Sequence, residues 1–246
     1  MHFSIPDPSM PIFRLSEKIS FPPPHFAEPE GLLAVGGDLS EKRLLLAYRM
    51  GIFPWFSQGD PILWWSPDPR MILYPDELKI SKRLRRIIKQ EIFTVTSDTV
   101  FESVIRSCAQ SRSKDRQDTW IVDDMIKAYC RLHESGYAHS IEVWQKEVLA
   151  GGLYGVSLGG CFFGESMFTR VSNASKVALA ALCEFLQRMS FDFIDCQVFT
   201  AHLLRMGARE IDRSLFLKEL ERTLKRPTLR GKWRLYEPLN IQKNEG

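Results

Sequence analysis

What this chain lacks excludes several kinds of protein. Its five cysteines (Cys108, Cys130, Cys161, Cys183 and Cys196) are odd in number and widely spaced, and no two stand at metal-ligand spacing. All sit in apolar patterns, as thiols of a reducing compartment do, so a cytoplasmic protein without a structural metal is expected. No apolar run approaches the roughly 20 residues of a membrane span. The N-terminus has no charged lead followed by an apolar stretch, and no signal peptide is expected. Charge of one sign is also scarce. With Lys+Arg 33 against Asp+Glu 30, the net charge of +3 gives little sign of a polyanion partner, so any basic surface must be local. None of the five histidines has a partner at metal spacing, no Ser-His-Asp arrangement can be argued from their order, and none is expected to be catalytic. Internal repeats and sizeable low-complexity tracts are missing. What remains is an ordinary globular chain of 246 residues, 44% hydrophobic, long enough for one large domain or two smaller ones.

The richest stretch is 151–199. Leu153 to Ser157 and Cys161 to Phe168 are apolar runs separated by Leu158-Gly159-Gly160, which predicts a hairpin. Val171-Ser172-Asn173 then opens a helical pattern in Val177, Leu179, Ala180, Leu182, Cys183 and Leu186. A second apolar run, Phe191 to Phe199, follows, so the helix is expected to cross over between parallel strands. Strict alternation puts Phe163, Glu165 and Met167 on one face of the first strand, and Phe193, Asp195, Gln197 and Phe199 on one face of the second. Carboxylates in a covered strand are costly unless they are paired or face a cleft. Three polar residues on neighbouring strands therefore point to a polar cleft at the sheet centre, with water-facing strand ends as the alternative.

Upstream, residues 1–30 are proline-rich and read as an extended arm. A helix is predicted over 41–50, ended by Gly51, and tryptophans 55, 64 and 65 cluster just beyond it. Pro67-Asp68-Pro69 is the candidate domain boundary. Residues 79–90 predict an amphipathic helix with Ile80, Leu84, Ile87 and Ile88 inward. Its other stripe is Lys82, Arg85, Arg86 and Lys89, with Arg83 beside it and no acidic residue to form i,i+4 pairs, as a phosphate-binding face would have. Helices follow over 98–110, opened by the capping-box pattern Thr99-x-x-Glu102, and over 123–135. A strand is expected over 140–144. After the central unit come a short helix from Thr200 to Met206, a brief strand at Glu210-Ile211 and a final helix over 213–225.

The segments GGLYGV, GESMF, NASK and IDCQ, with PWFS, LWWSPDPR and HSIEVW upstream, closely resemble the bacterial leucyl/phenylalanyl-tRNA–protein transferases. The resemblance runs from about Phe21 to Leu217, its motifs in order and correctly spaced. It implies an α+β chain: a small N-terminal domain, 1–68, before a GNAT-like acyltransferase domain, 69–246, whose mixed sheet is flanked by helices. It implies transfer of Leu or Phe, with Met a further candidate, from aminoacyl-tRNA to proteins beginning with Arg or Lys, marking them for N-end-rule degradation. Glu165, Asp195 and Gln197 would carry the chemistry. Trp55, Trp120, Leu153, Phe162, Met167, Leu179, Leu182 and Ile194 would line the aminoacyl pocket, and Lys82, Arg83, Arg85, Arg86 and Lys89 would meet the tRNA backbone. An aminoacyl ester is already activated, so no cofactor, metal or covalent nucleophile is required.

Two other readings are open on the residues alone. An acyl-CoA-dependent N-acyltransferase usually has a glycine-rich pyrophosphate loop after the fourth strand, whereas 170–176 reads RVSNASK, with no glycine. A non-catalytic RNA-binding module would explain the basic helix but leaves Glu165, Asp195 and Gln197 without a reason to be inside a sheet.

Overall fold

A computed structural model describes residues 12–113 and 121–235. Elements follow in the order β1 (Phe13–Leu15), β2 (Leu32–Gly36), α1 (Glu41–Arg49), β3 (Phe53–Pro54), β4 (Leu63–Trp65), β5 (Arg70–Leu73), α2 (Lys82–Lys89), β6 (Thr94–Ser97) and α3 (Phe101–Ser113). Then come α4 (Asp123–Glu134), β7 (Ala138–Gln145), β8 (Val148–Leu158), β9 (Cys161–Thr169), α5 (Ala174–Arg188), β10 (Phe193–Gln197), α6 (Ala201–Arg205), β11 (Arg209–Ile211) and α7 (Arg213–Thr223). Two mixed sheets with helices against them make the chain α+β. The first is four-stranded, β1-β2-β4-β3, and the second seven-stranded, β11-β5-β10-β9-β8-β7-β6. The proline-rich arm therefore contributes a strand, because β1 pairs parallel with β2.

Local signals explain most boundaries. Ser40 caps α1 by accepting from the Arg43 N–H, and Gly51 follows the helix in the left-handed region. α2 begins at Lys82 rather than near 79, because Ser81 is its cap and accepts from the Leu84 N–H. The expected capping box at Thr99 does not form. Thr99 instead donates to the buried Glu142, while Glu102 pairs with Arg106 one turn on, so α3 starts later, at Phe101. Asn173 takes the N-cap position of α5 in the left-handed region, but its side chain donates to Ser172 Oγ and caps nothing.

The central hairpin is as predicted: β8 and β9 pair antiparallel across Gly159-Gly160, α5 crosses over, and β10 returns parallel to β9. A Cβ on Gly151 would sit 2.6 Å from Ala174 Cβ, so glycine there lets the start of α5 lie against the sheet. Each sheet face has its own apolar cluster. One joins α3 and α4 to α1, α7 and the small sheet through residues such as Tyr48, Trp64, Val104, Tyr129, Phe163 and Phe216. The other joins α2, α5 and α6 to the opposite face through Leu84, Leu153, Phe162, Leu179, Leu182 and Ile194. No helix among the described residues is long and apolar enough to cross a membrane.

Candidate active site

Two irregularities make the site. β9 and β10 are paired only from Phe193↔Cys161 to Asp195↔Phe163, and the pocket opens beyond that last pair. In β9, Tyr154 faces Ser166 while Gly155 faces Gly164, so Glu165 is an extra residue, a β-bulge. An inserted residue reverses the alternation after it. Phe163 and Glu165 turn to the α4 side, whereas Met167 joins Phe162 on the α5 side. The expectation that Phe163, Glu165 and Met167 share a face is thereby corrected. The second strand is also shorter than its apolar run. Gln197 has φ +64°, which turns the chain out of the sheet and leaves Phe199 exposed outside the strand.

Glu165 and Gln197 meet across the gap, Gln197 Nε2 donating to Glu165 Oε1 at 2.7 Å. Tyr48, from α1, donates to the same oxygen at 2.8 Å, and Tyr129, from α4, donates to Oε2 at 2.9 Å. The two hydroxyls also contact each other. Burial pushes the Glu165 carboxyl up to about 7, against the pull of its three donors, with Asp195 adding in the same direction. Burial, then the neighbouring Glu165, hold both tyrosines well above the ordinary phenol value, so each remains a donor.

Asp195 sits differently from its sequence neighbours. Arg70, at the start of β5, donates to it through Nε at 2.8 Å and Nη2 at 2.7 Å, and both side chains are buried. Asp195 Oδ1 also accepts the Gln197 backbone N–H at 2.9 Å. The guanidinium lies 4.8 Å from the Phe53 ring centroid and 4.6 Å from that of Phe216. Asp195 is not among the residues that line the pocket, and its carboxylate instead joins Arg70 to the backbone of Gln197.

Below the Glu165–Gln197 pair is an apolar pocket of about 260 Å³. Trp55, Leu153, Phe162, Met167, Leu179, Leu182 and Ile194 all line it, as do Ser166, Thr200, His202 and Leu203. Trp120 lies outside the described residues. Phe163 packs against Tyr48 in the other cluster and belongs to the core. Cys196 also lines the pocket, yet burial and the nearby Asp195 push its thiol well up, which disfavours a thiolate nucleophile. On α2, Lys82, Arg83, Arg86 and Lys89 are exposed and Arg85 is half-buried, while Leu84 is fully inward. None of these five cations is in an ion pair with a described residue.

Sequence reasoning missed Tyr48, Tyr129 and Arg70, and it discounted His202. Tyr129 carried a visible signal, being inward-facing in a predicted helix, but inward tyrosines are usually core. Nothing in the sequence linked Tyr48 or Arg70 to strands more than a hundred residues away.

Known proteins resemble this chain in sequence. A family profile described as "Leucyl/phenylalanyl-tRNA protein transferase" matches residues 72–221, and one for the N-terminal domain of that family matches 37–68. A leucyl/phenylalanyl-tRNA–protein transferase of Desulforapulum autotrophicum is 54% identical over 224 residues, covering 91% of this chain and 98% of that protein. Another, from Syntrophobacter fumaroxidans, is 61% identical over 208 residues, covering 85% of this chain and 89% of its own. Similar solved structures include an aminoglycoside acetyltransferase from an uncultured soil metagenomic sample, at TM-score 0.36 and 10% identity over 61% of this chain and 97% of its own. L-PGS from Bacillus licheniformis is alike at TM-score 0.37 and 10% identity, over 68% of this chain and 53% of its own. Matched across both profiles and over nine-tenths of its length by such a relative, the chain belongs to the leucyl/phenylalanyl-tRNA–protein transferase family.

Proposed function

We propose that this protein moves Leu or Phe from aminoacyl-tRNA to the N-terminal amine of proteins beginning with Arg or Lys, in the cytoplasm, as the marking step of N-end-rule degradation. The observation that carries the reading is the Glu165–Gln197 hydrogen bond at the head of an apolar pocket. Hydrocarbon shape is all that Leu and Phe side chains offer, and a pocket of this lining suits them. Residues 69–246 act as the transfer domain and 1–68 as a small N-terminal domain that brings Tyr48 and Trp55 to it.

The amine attacks the ester carbonyl carbon, a C–N bond forms, and the C–O bond to the terminal ribose breaks with a proton passing to that oxygen. Gln197 gives its Nε2 to Glu165, which leaves Oε1 to accept an N–H of the incoming amine and hold its lone pair towards the carbonyl. Asp195, clamped by Arg70, fixes the backbone of Gln197. Glu165 helps to hold the amine and, with its pKa near neutrality, is suited to take and return its proton. The exposed cations of α2 hold the tRNA backbone. Incubation with labelled Leu-tRNA and an Arg-initiated peptide, without ATP, CoA or added metal, should give a Leu-Arg product. Acetyl-CoA turnover with no tRNA-dependent product would overturn the proposal.

A further inference from the structure

His202, which the sequence gave no reason to single out, stands on the rim of the pocket in α6. Two cations bear on it, Lys176 and Arg205. Lys176 is in the first turn of α5, three residues before the pocket-lining Leu179, so the two are neighbours on one side of the helix. Arg205 is three residues after His202 and lies on the same side of α6. Neither Lys176 nor Arg205 is in an ion pair with a described residue. Like charges gathered at one mouth repel, and burial together with these two neighbours lowers the pKa of His202. An unopposed cluster of this kind suits an anion. α2, which carries the exposed cations, packs against α5, the helix that carries Lys176.

We propose that Lys176, Arg205 and His202 bind the phosphodiester adjoining the terminal nucleoside of the aminoacyl-tRNA. The inference rests on the transfer reading above and adds to it a route for the single-stranded 3′ end. The ester lies at Gln197, the terminal ribose at the mouth, the first phosphate on this cluster, and the acceptor stem on α2. Lys176 and Arg205 contribute charge, and neutral His202 contributes a ring N–H donor.

Three donors separate this role from any other: leucyl-adenosine, which has no phosphate; a leucylated CCA trinucleotide; and full Leu-tRNA. For Lys176→Ala/Arg205→Ala, kcat/KM with the trinucleotide should fall at least about tenfold, as expected when charge-assisted contacts to one phosphate are lost. With leucyl-adenosine it should stay within about twofold, since that donor has no phosphate to lose. Should the double variant fail to fold, Lys176→Gln and Arg205→Gln singly should show the same dependence on donor. Equal losses with leucyl-adenosine and trinucleotide, or no loss with either, in a protein active with wild-type residues would overturn the phosphate site alone. Wild-type protein inert with all three donors would overturn the transfer reading and the site with it.

Discussion

Replacing Glu165 with Gln keeps the shape of the side chain and removes its titration. In the folded protein this carboxyl titrates near 7, raised by burial, against an ordinary value of 4.5. Between those values the folded state binds more protons at this position than the unfolded state does, so wild-type stability falls as pH rises through the window. The full difference, from below 4.5 to above 7, is about 3 kcal/mol, taking 1.36 kcal/mol per pKa unit. Glu165→Gln has no such slope. The variant should therefore gain on the wild type by about 3 kcal/mol as pH rises from 4.5 to 8, on the order of 6–12 °C in relative Tm for a domain of this size. Groups remote from Glu165 contribute alike to both proteins, so the difference between the two melting curves reports on the Glu165 site. Thermal melts in parallel buffers at half-unit steps would measure it. A difference that stays flat from pH 4.5 to 8 would refute the reasoning, because the carboxyl would then be unperturbed or would not be in its hydrogen-bonded site.

Arg85→Ala/Arg86→Ala should weaken tRNA binding and reduce the slope of log K against log salt by about 0.7–0.9 per lost phosphate contact, with little change in turnover at saturating tRNA. A binding titration at several salt concentrations reads this, and an unchanged slope would reduce the stripe to a solvated face. Asp195→Asn should lower stability by about 3–5 kcal/mol, since Arg70 would remain as a buried cation without its carboxylate; denaturant melts measure it. Met167→Phe narrows a pocket of about 260 Å³ and should depress transfer of Phe at least about tenfold more than transfer of Leu, seen in the ratio of the two kcat/KM values.

Much of the site was legible because the central unit announces itself. The hairpin at Gly159-Gly160, the helical spacing through α5 and the return strand to Asp195 are local patterns, and the structure repeats them. Three polar residues inside those strands pointed to the cleft for a sound reason, the cost of burying them unpaired. Face assignments failed at one residue. Alternation assumes an unbroken pleat, and the bulge at Glu165 reverses parity without leaving any mark in the composition of GESMF. The partners were not legible at all. Tyr48, Tyr129 and Arg70 reach the site from α1, α4 and β5, and their contacts with Glu165 and Asp195 are set by the packing of whole elements. Capping followed the same rule: Ser81 caps α2 through a local bond and starts it later than the expected residue 79, while Thr99 was taken by a distant carboxylate.

The central claim is that the Glu165–Gln197 pair performs aminoacyl transfer, and single-turnover kinetics with Gln197→Ala and Glu165→Ala test it most directly. Labelled Leu-tRNA and an Arg-initiated peptide would be the substrates, with circular dichroism to establish that each variant is folded. Each substitution should lower kcat/KM by roughly 10²-fold or more, about 2.7 kcal/mol of transition-state stabilisation, with tRNA affinity nearly unchanged. Near-wild-type turnover in both folded variants would contradict the account and move the reaction away from these strands.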